Sequence, residues 1–119
     1  MKNISKHIEQ LTPYEYELFK TICDHSNIKI KDLLSQKRFR KLMNARKIAC
    51  LMLKQKGYIY KNIGEVICYI PKDHSTILYR VRLAKSHYDL ESDFRDSVDR
   101  VSNAIKKKGF SLSKHGTTI

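Results

Sequence analysis

The stretch Asp73-His74-Ser75-Thr76-Ile77-Leu78-Tyr79-Arg80-Val81-Arg82-Leu83-Ala84 decides how this chain is read. Its apolar positions recur at helical spacing, and four short polar side chains stand where the helix begins. Asp73, Ser75 and Thr76 are of the types that cap helices. All four side chains also hydrogen-bond base edges or phosphates when a helix end enters a groove of nucleic acid. Alone, the tetrapeptide reads first as an N-cap, and its surroundings decide whether it is more.

Immediately upstream, Tyr69-Ile70-Pro71-Lys72 is a turn, because Pro71 cannot continue a hydrogen-bond ladder. Before it, a short helix is predicted from Tyr60 to about Cys68, with Ile63, Val66 and Ile67 inward. Gly64 sits inside that helix, which close packing against a neighbouring helix would explain. A short helix, a turn and a longer helix over 73–88 with polar residues at its start form a helix-turn-helix arrangement.

Further out, Asn44 is a plausible N-cap for a helix over 45–56, which Gly57 ends. Ile48, Ala49, Met52 and Leu53 share its inner face, and Arg46, Lys47, Lys54 and Gln55 lie toward the others. The run Gln36-Lys37-Arg38-Phe39-Arg40-Lys41 is too basic to be buried and reads as a loop or short helix. Asp32-Leu33-Leu34-Ser35 is a short helical turn. Thr12-Pro13-Tyr14-Glu15 carries an N-cap, a proline at the first helical position and a capping-box glutamate. Leu18, Phe19, Ile22 and Cys23 follow on one face, and that helix stops near residues 25–27. A last amphipathic helix is expected over 90–107, with Phe94, Val98, Val101 and Ile105 in register. The fold class is all-α, with five to six helices and a helix-turn-helix. Residues 1–10 read as a polar leader, 11–108 as the helical domain and 109–119 as a flexible tail.

The 119 residues carry a formal net charge of +12, a length that fits one domain. The charge is uneven. Residues 28–61 hold eleven Lys or Arg against the single acid Asp32, whereas residues 89–105 hold five acids against two Arg. A basic block of that density in a folded segment points to a polyanion. Nucleic acid fits better than a membrane surface, because no helix pairs this charge with a wide exposed apolar face. RNA fits less well than duplex DNA, since Tyr58, Tyr60 and Tyr69 read as core or rim rather than a stacking surface. No run is long enough to cross a membrane and no secretory signal opens the chain, so a cytoplasmic protein is expected. Cys23, Cys50 and Cys68 read as buried free thiols of a reducing compartment. Cys23 and His25 have no second ligand pair at zinc spacing, so neither a metal nor another cofactor is expected.

Four motifs occur in order: Ile30-Lys31-Asp32-Leu33-Leu34-Ser35-Gln36-Lys37-Arg38, then Ala45-Arg46-Lys47-Ile48-Ala49, then Ile63-Gly64-Glu65, then Lys72-Asp73-His74-Ser75-Thr76-Ile77-Leu78. Together they resemble the C-terminal DNA-binding domain of the bacterial replication initiator DnaA, over roughly residues 21–103. The last matches that family's signature, a basic residue before Asp-His-Ser/Thr-Thr. The resemblance implies binding of double-stranded DNA at a short asymmetric site, the DnaA box. It implies base contacts from Asp73, His74, Ser75 and Thr76 in the major groove and from Arg38 in the neighbouring minor groove. Chemically, Asp73 suits a cytosine amino group, and arginine suits narrow A/T-rich grooves. Arg40, Arg46, Lys54 and Lys72 are the expected phosphate contacts, with Arg40 the alternative to Arg38 for the groove role, and Arg82 extends them along the outward face of the helix that Asp73 opens. Three departures stand out. The segment Cys68-Tyr69-Ile70-Pro71 is about two residues longer than the family's glycine-rich turn. Ala45 replaces the usual proline, and the connection around Gly57 is one residue shorter.

The four glycines, Gly57, Gly64, Gly109 and Gly116, offer no position for a Gly-Lys-Ser/Thr phosphate loop, so no nucleotide is expected as a partner. A free-standing DNA-binding domain is expected. An enzyme is not, because the adjacent Asp73, His74 and Ser75 cannot orient a base between nucleophile and acid. The expected role is DnaA-box-like recognition in replication initiation or its regulation. The alternatives are a transcriptional regulator, a competitor of a host initiator, or an adaptor that has lost DNA binding. A protein partner is expected, if anywhere, at the N-terminal helix or the acidic C-terminal helix.

Overall fold

A computed structural model describes residues 3–110. Seven helices occupy most of them: α1 (Ile4–Glu9), α2 (Pro13–Ser26), α3 (Ile30–Leu33), α4 (Arg40–Lys56), α5 (Tyr60–Val66), α6 (His74–Leu90) and α7 (Ser92–Lys107). The chain is all-α and its described residues contain no strand. The expected tail falls largely on residues 111–119, which lie outside the described residues.

Local chemistry explains several of the helix ends. Thr12 Oγ1 accepts from the Glu15 N–H while Glu15 Oε1 accepts from the Thr12 N–H, closing the capping box at α2. The Tyr58 hydroxyl donates to Glu15 Oε2 at 2.6 Å, which ties the α4–α5 connection to the start of α2. Gly57 ends α4 in the left-handed region at φ 106°, the conformation glycine adopts without a Cβ penalty. Asp73 caps α6. Phe94, Val98, Val101 and Ile105 are all buried, as the register of α7 predicts.

Two expectations are corrected. Asn44 is not an N-cap: α4 starts at Arg40, one turn earlier, with Phe39 at the cap position and no side-chain cap bond. Leu42 is 2% exposed and carries the buried face upstream, so packing starts the helix where local capping chemistry does not. Residues 4–9, read as polar leader, form α1. Asn3 caps it, and the buried His7 Nε2 lies 2.8 Å from the Val66 carbonyl at the end of α5. Ile4, Ile8 and Leu11 pack against the core.

The core joins Leu18, Phe19 and Ile22 of α2 with Ala49, Met52 and Leu53 of α4. Ile63 of α5, with Ile77, Val81 and Ala84 of α6, closes it on the side of the helix-turn-helix. Cys23, Cys50 and Cys68 are buried free thiols. Among the described residues no helix is long and apolar enough to cross a membrane, and no group of three or more His, Cys, Asp or Glu is placed to hold a metal ion.

The long connection between α5 and α6 is held at two points. The Tyr69 N–H donates to the Leu34 carbonyl at 3.0 Å, and the Lys72 N–H donates to the Gly64 carbonyl at 3.0 Å. Gly64 packs closely, as expected, against Ile77 of α6 and, more tightly, against the Lys72 carbonyl of this connection. A Cβ there would overlap the Lys72 carbonyl oxygen.

Candidate nucleic-acid interface

Helix α6 divides into three faces. Ile77, Val81 and Ala84 point into the core. Ser75, Tyr79 and Arg82, spaced by four and three residues, are exposed on the outer side. Asp73, Thr76 and Arg80 line up along a third face. At the N-terminal end, Asp73 Oδ1 accepts from the Thr76 N–H at 2.8 Å. That bond, with the Thr76 hydroxyl second, holds the Asp73 carboxyl below the usual carboxylate range. Asp73, His74, Ser75 and Thr76 are all exposed. The cap and an accessible polar edge therefore occupy the same four residues.

A polar cleft of about 270 Å³ runs along the third face. It lies between the α3–α4 loop and the start of α6, and Ser35, Gln36, Arg38, Lys72, Thr76 and Arg80 are among its walls. No carboxylate lines it. The fold thus brings the loop residue Arg38 beside Lys72 and Thr76, residues far apart in sequence. Arg80 was not singled out in the sequence, although its place four residues after Thr76 and seven after Asp73 puts it on the same helix face. Its charge pulls against the rise that burial gives the Cys50 thiol.

Arg46, expected on a phosphate, is 4% exposed. Its Nε donates to the Leu33 carbonyl at 2.8 Å. Its Nη2 donates to the carbonyls of Asp32 at 3.0 Å and Ser35 at 2.8 Å, and its Nη1 donates to that of Lys37. Burial, helped by the neighbouring charge of Arg80, lowers its pKa from the ordinary arginine value. This guanidinium holds the α3–α4 loop in shape, and its donors face carbonyls rather than solvent. The basic neighbours in sequence hid this, because a lone buried arginine in a cationic run has no signature of its own.

The other expected phosphate contacts are dispersed. Arg40 is exposed at the start of α4 but lines a different concavity, with Asn27, Ile28 and Phe39. Lys72 is half-buried, its backbone fixed to Gly64. Lys54 lies in the last turn of α4 with its ammonium 4.3 Å from the centre of the Tyr60 ring. The Tyr60 ring in turn meets the His74 ring edge-on, with centroids 5.1 Å apart. Tyr60 was read as core or rim; it is half-buried and touches the α6 edge.

Comparison with known proteins gives a consistent picture. A family model described as bacterial dnaA protein helix-turn-helix matches residues 16–83. The chromosomal replication initiator protein DnaA of Thermodesulfovibrio yellowstonii is 32% identical over 98 residues, covering 81% of this chain and 21% of that protein. The protein of the same name from Geobacter sp. is 33% identical over 87 residues, covering 72% of this chain and 18% of that protein. That from Bacteroides thetaiotaomicron is 26% identical over 93 residues, covering 77% and 19%. The chain spans about a fifth of the length of these curated relatives.

Proposed function

Since this chain belongs to the bacterial DnaA helix-turn-helix family, we propose that it binds double-stranded DNA sequence-specifically, with the N-terminal end of α6 in the major groove. The observation that carries this reading is the juxtaposition of an exposed Asp73–His74–Ser75–Thr76 edge with a cationic cleft free of carboxylates. Phosphate neutralisation supplies affinity and base edges supply preference, and the two demands fall on adjoining surfaces.

In this reading Asp73, His74, Ser75 and Thr76 meet base edges. Arg38, exposed on the loop beside them, reaches the next minor groove. Lys72, Arg82, Arg40 and Lys54 face the sugar-phosphate backbone. Arg80, which lines the cleft with Arg38 and Lys72, joins the backbone contacts. Arg46 acts by holding the Arg38 loop. The biological setting is recognition of a DnaA-box-like site, in replication initiation or its regulation.

Selection of bound duplexes from a random pool tests the reading directly. The expected result is a short asymmetric consensus, bound with an affinity that falls steeply with salt. Each phosphate neutralised contributes a slope of about −0.9 in log affinity against log salt. Salt-dependent binding with no consensus would leave a nonspecific polyanion binder. No duplex binding at all would favour the adaptor.

A further inference from the structure

Three helix ends converge beside the exposed edge of α6, and Tyr60 is where they meet. Tyr60 is the first residue of α5, whose N-cap position is taken by Ile59 without a side-chain cap bond. Its ring is half-buried. The Lys54 ammonium, from the last turn of α4, stands 4.3 Å from its centroid. The His74 imidazole, from the first turn of α6, meets it at an interplanar angle of 77° with centroids 5.1 Å apart. Among the described residues Tyr60 is the one aromatic partner of His74.

We propose that Tyr60 is a positioning residue: it fixes the orientation of the His74 ring and so sets the base preference at the position His74 reads. The inference rests on the groove reading above. An exposed imidazole at the start of a helix samples several rotamers, and ordering it on DNA costs entropy that a pre-positioned ring has already lost. The edge-to-face geometry supplies the restraint, because ring quadrupoles favour a particular angle as well as contact. Lys54 acts on the same ring through its face, where a cation is attracted. Lys54 therefore reaches the reading edge through Tyr60, beyond any charge it offers to a phosphate. Nothing in the α6 sequence shows this, since the support comes from the residue that opens the preceding helix.

The test uses the full chain with Tyr60→Leu, Tyr60→Phe, His74→Ala and the Tyr60→Leu/His74→Ala double variant. Discrimination is the ratio of affinities for the selected duplex and for one changed at the base pair whose preference His74→Ala abolishes. One aromatic pair is worth about a threefold to tenfold change, so Tyr60→Leu is expected to lower discrimination by that factor. Tyr60→Phe, which keeps the ring, should stay close to the intact protein, and Tyr60→Leu should add nothing in the His74→Ala background. Equal losses on both duplexes, or a Tyr60→Leu effect that persists without His74, would overturn the proposal. In the DNA-free intact protein, NMR should show cross-relaxation between the Tyr60 and His74 ring protons; its absence also overturns the proposal, whatever the variants do. An intact protein with no preferred duplex sinks the groove reading itself. A preference that Tyr60→Leu leaves untouched sinks this inference alone.

Discussion

Lys72 is folded onto Gly64. Its N–H donates to the Gly64 carbonyl at 3.0 Å, and its carbonyl oxygen fills the space that a side chain at position 64 would need. The residue that launches α6 is thereby fixed to the middle of α5. The connection delivers α6 at a defined angle because its far end is held by backbone rather than by its own length.

Gly64→Ala is therefore expected to destabilise the fold, against the helix preference for alanine. That preference favours the variant by about 1 kcal/mol. The Cβ meets the Lys72 carbonyl, however, with its carbon at 3.2 Å, and that backbone cannot turn aside as the end of a flexible side chain could. A net loss of about 1–2 kcal/mol is expected in urea denaturation. Affinity for the selected duplex should fall as well, because relieving the overlap displaces the start of α6. A more stable variant would show that the connection gives way at no cost.

The buried thiols predict an alkaline limit to stability. Burial pushes the Cys50 thiol up from 9.0 to about 11, against the opposing pull of Arg80. Burial, then the charges of Asp24 and Asp32, pushes Cys23 up to about 12. The folded state holds these protons where the unfolded chain has lost them. Their stabilisation is complete below pH 9 and is lost as pH rises through the folded values. Unfolding free energy should then fall by up to about 1.4 kcal/mol per pH unit for each thiol above pH 9. Cys50→Ala should make that fall shallower, whatever it does to stability at neutral pH. An unchanged slope in this variant would show that Cys50 titrates in the folded state as it does unfolded.

The sequence showed those features that depend on neighbours along the chain and missed those that depend on neighbours in space. The capping box at Thr12, the glycine end of α4 at Gly57 and the Asp73 cap are local hydrogen-bond or dihedral requirements, and each was legible. The start of α4 was misplaced at Asn44 because a good capping residue lay inside a helix whose true start depends on burying Leu42. Arg46 reads as a surface cation because its sequence neighbours are cations, while its partners are carbonyls nine to fourteen residues upstream. The edge of α6 was legible as a helix end with groove-reading side chains. Of its supports, a close approach at Gly64 was legible from a glycine inside a helix, whereas its partner Lys72 and the contact of Tyr60 with His74 were not, because each joins two different elements.

Asp73 serves as cap and as proposed base contact, and two substitutions separate the roles. Asparagine caps helices about as well as aspartate. Asp73→Asn should keep the Thr76 N–H bond and a melting temperature close to that of the intact protein. It should nevertheless change the selected consensus, since an amide donates as well as accepts whereas a carboxylate only accepts. Asp73→Ala removes both functions and should lower the melting temperature and the discrimination together. If Asp73→Asn left the consensus intact, Asp73 would be a cap and nothing more.

Arg46 and Arg80 are neighbouring cations with opposite expected signatures. Arg46→Met strips donors from the carbonyls of Asp32, Leu33, Ser35 and Lys37, and leaving such buried acceptors unpaired is expected to cost about 3 kcal/mol. Its affinity for DNA should drop as the Arg38 loop loosens. The salt dependence, measured at a temperature where the variant is folded, should stay close to that of the intact protein, because the lost guanidinium was already committed to carbonyls. Arg80→Ala exposes no such set of carbonyls and should change stability little. It should weaken binding to all duplexes alike and make the log affinity against log salt slope shallower by about 1. The reverse assignment, a shallower slope for Arg46→Met and none for Arg80→Ala, would move the phosphate contact back to α4 and leave the cationic wall of the cleft without a DNA role.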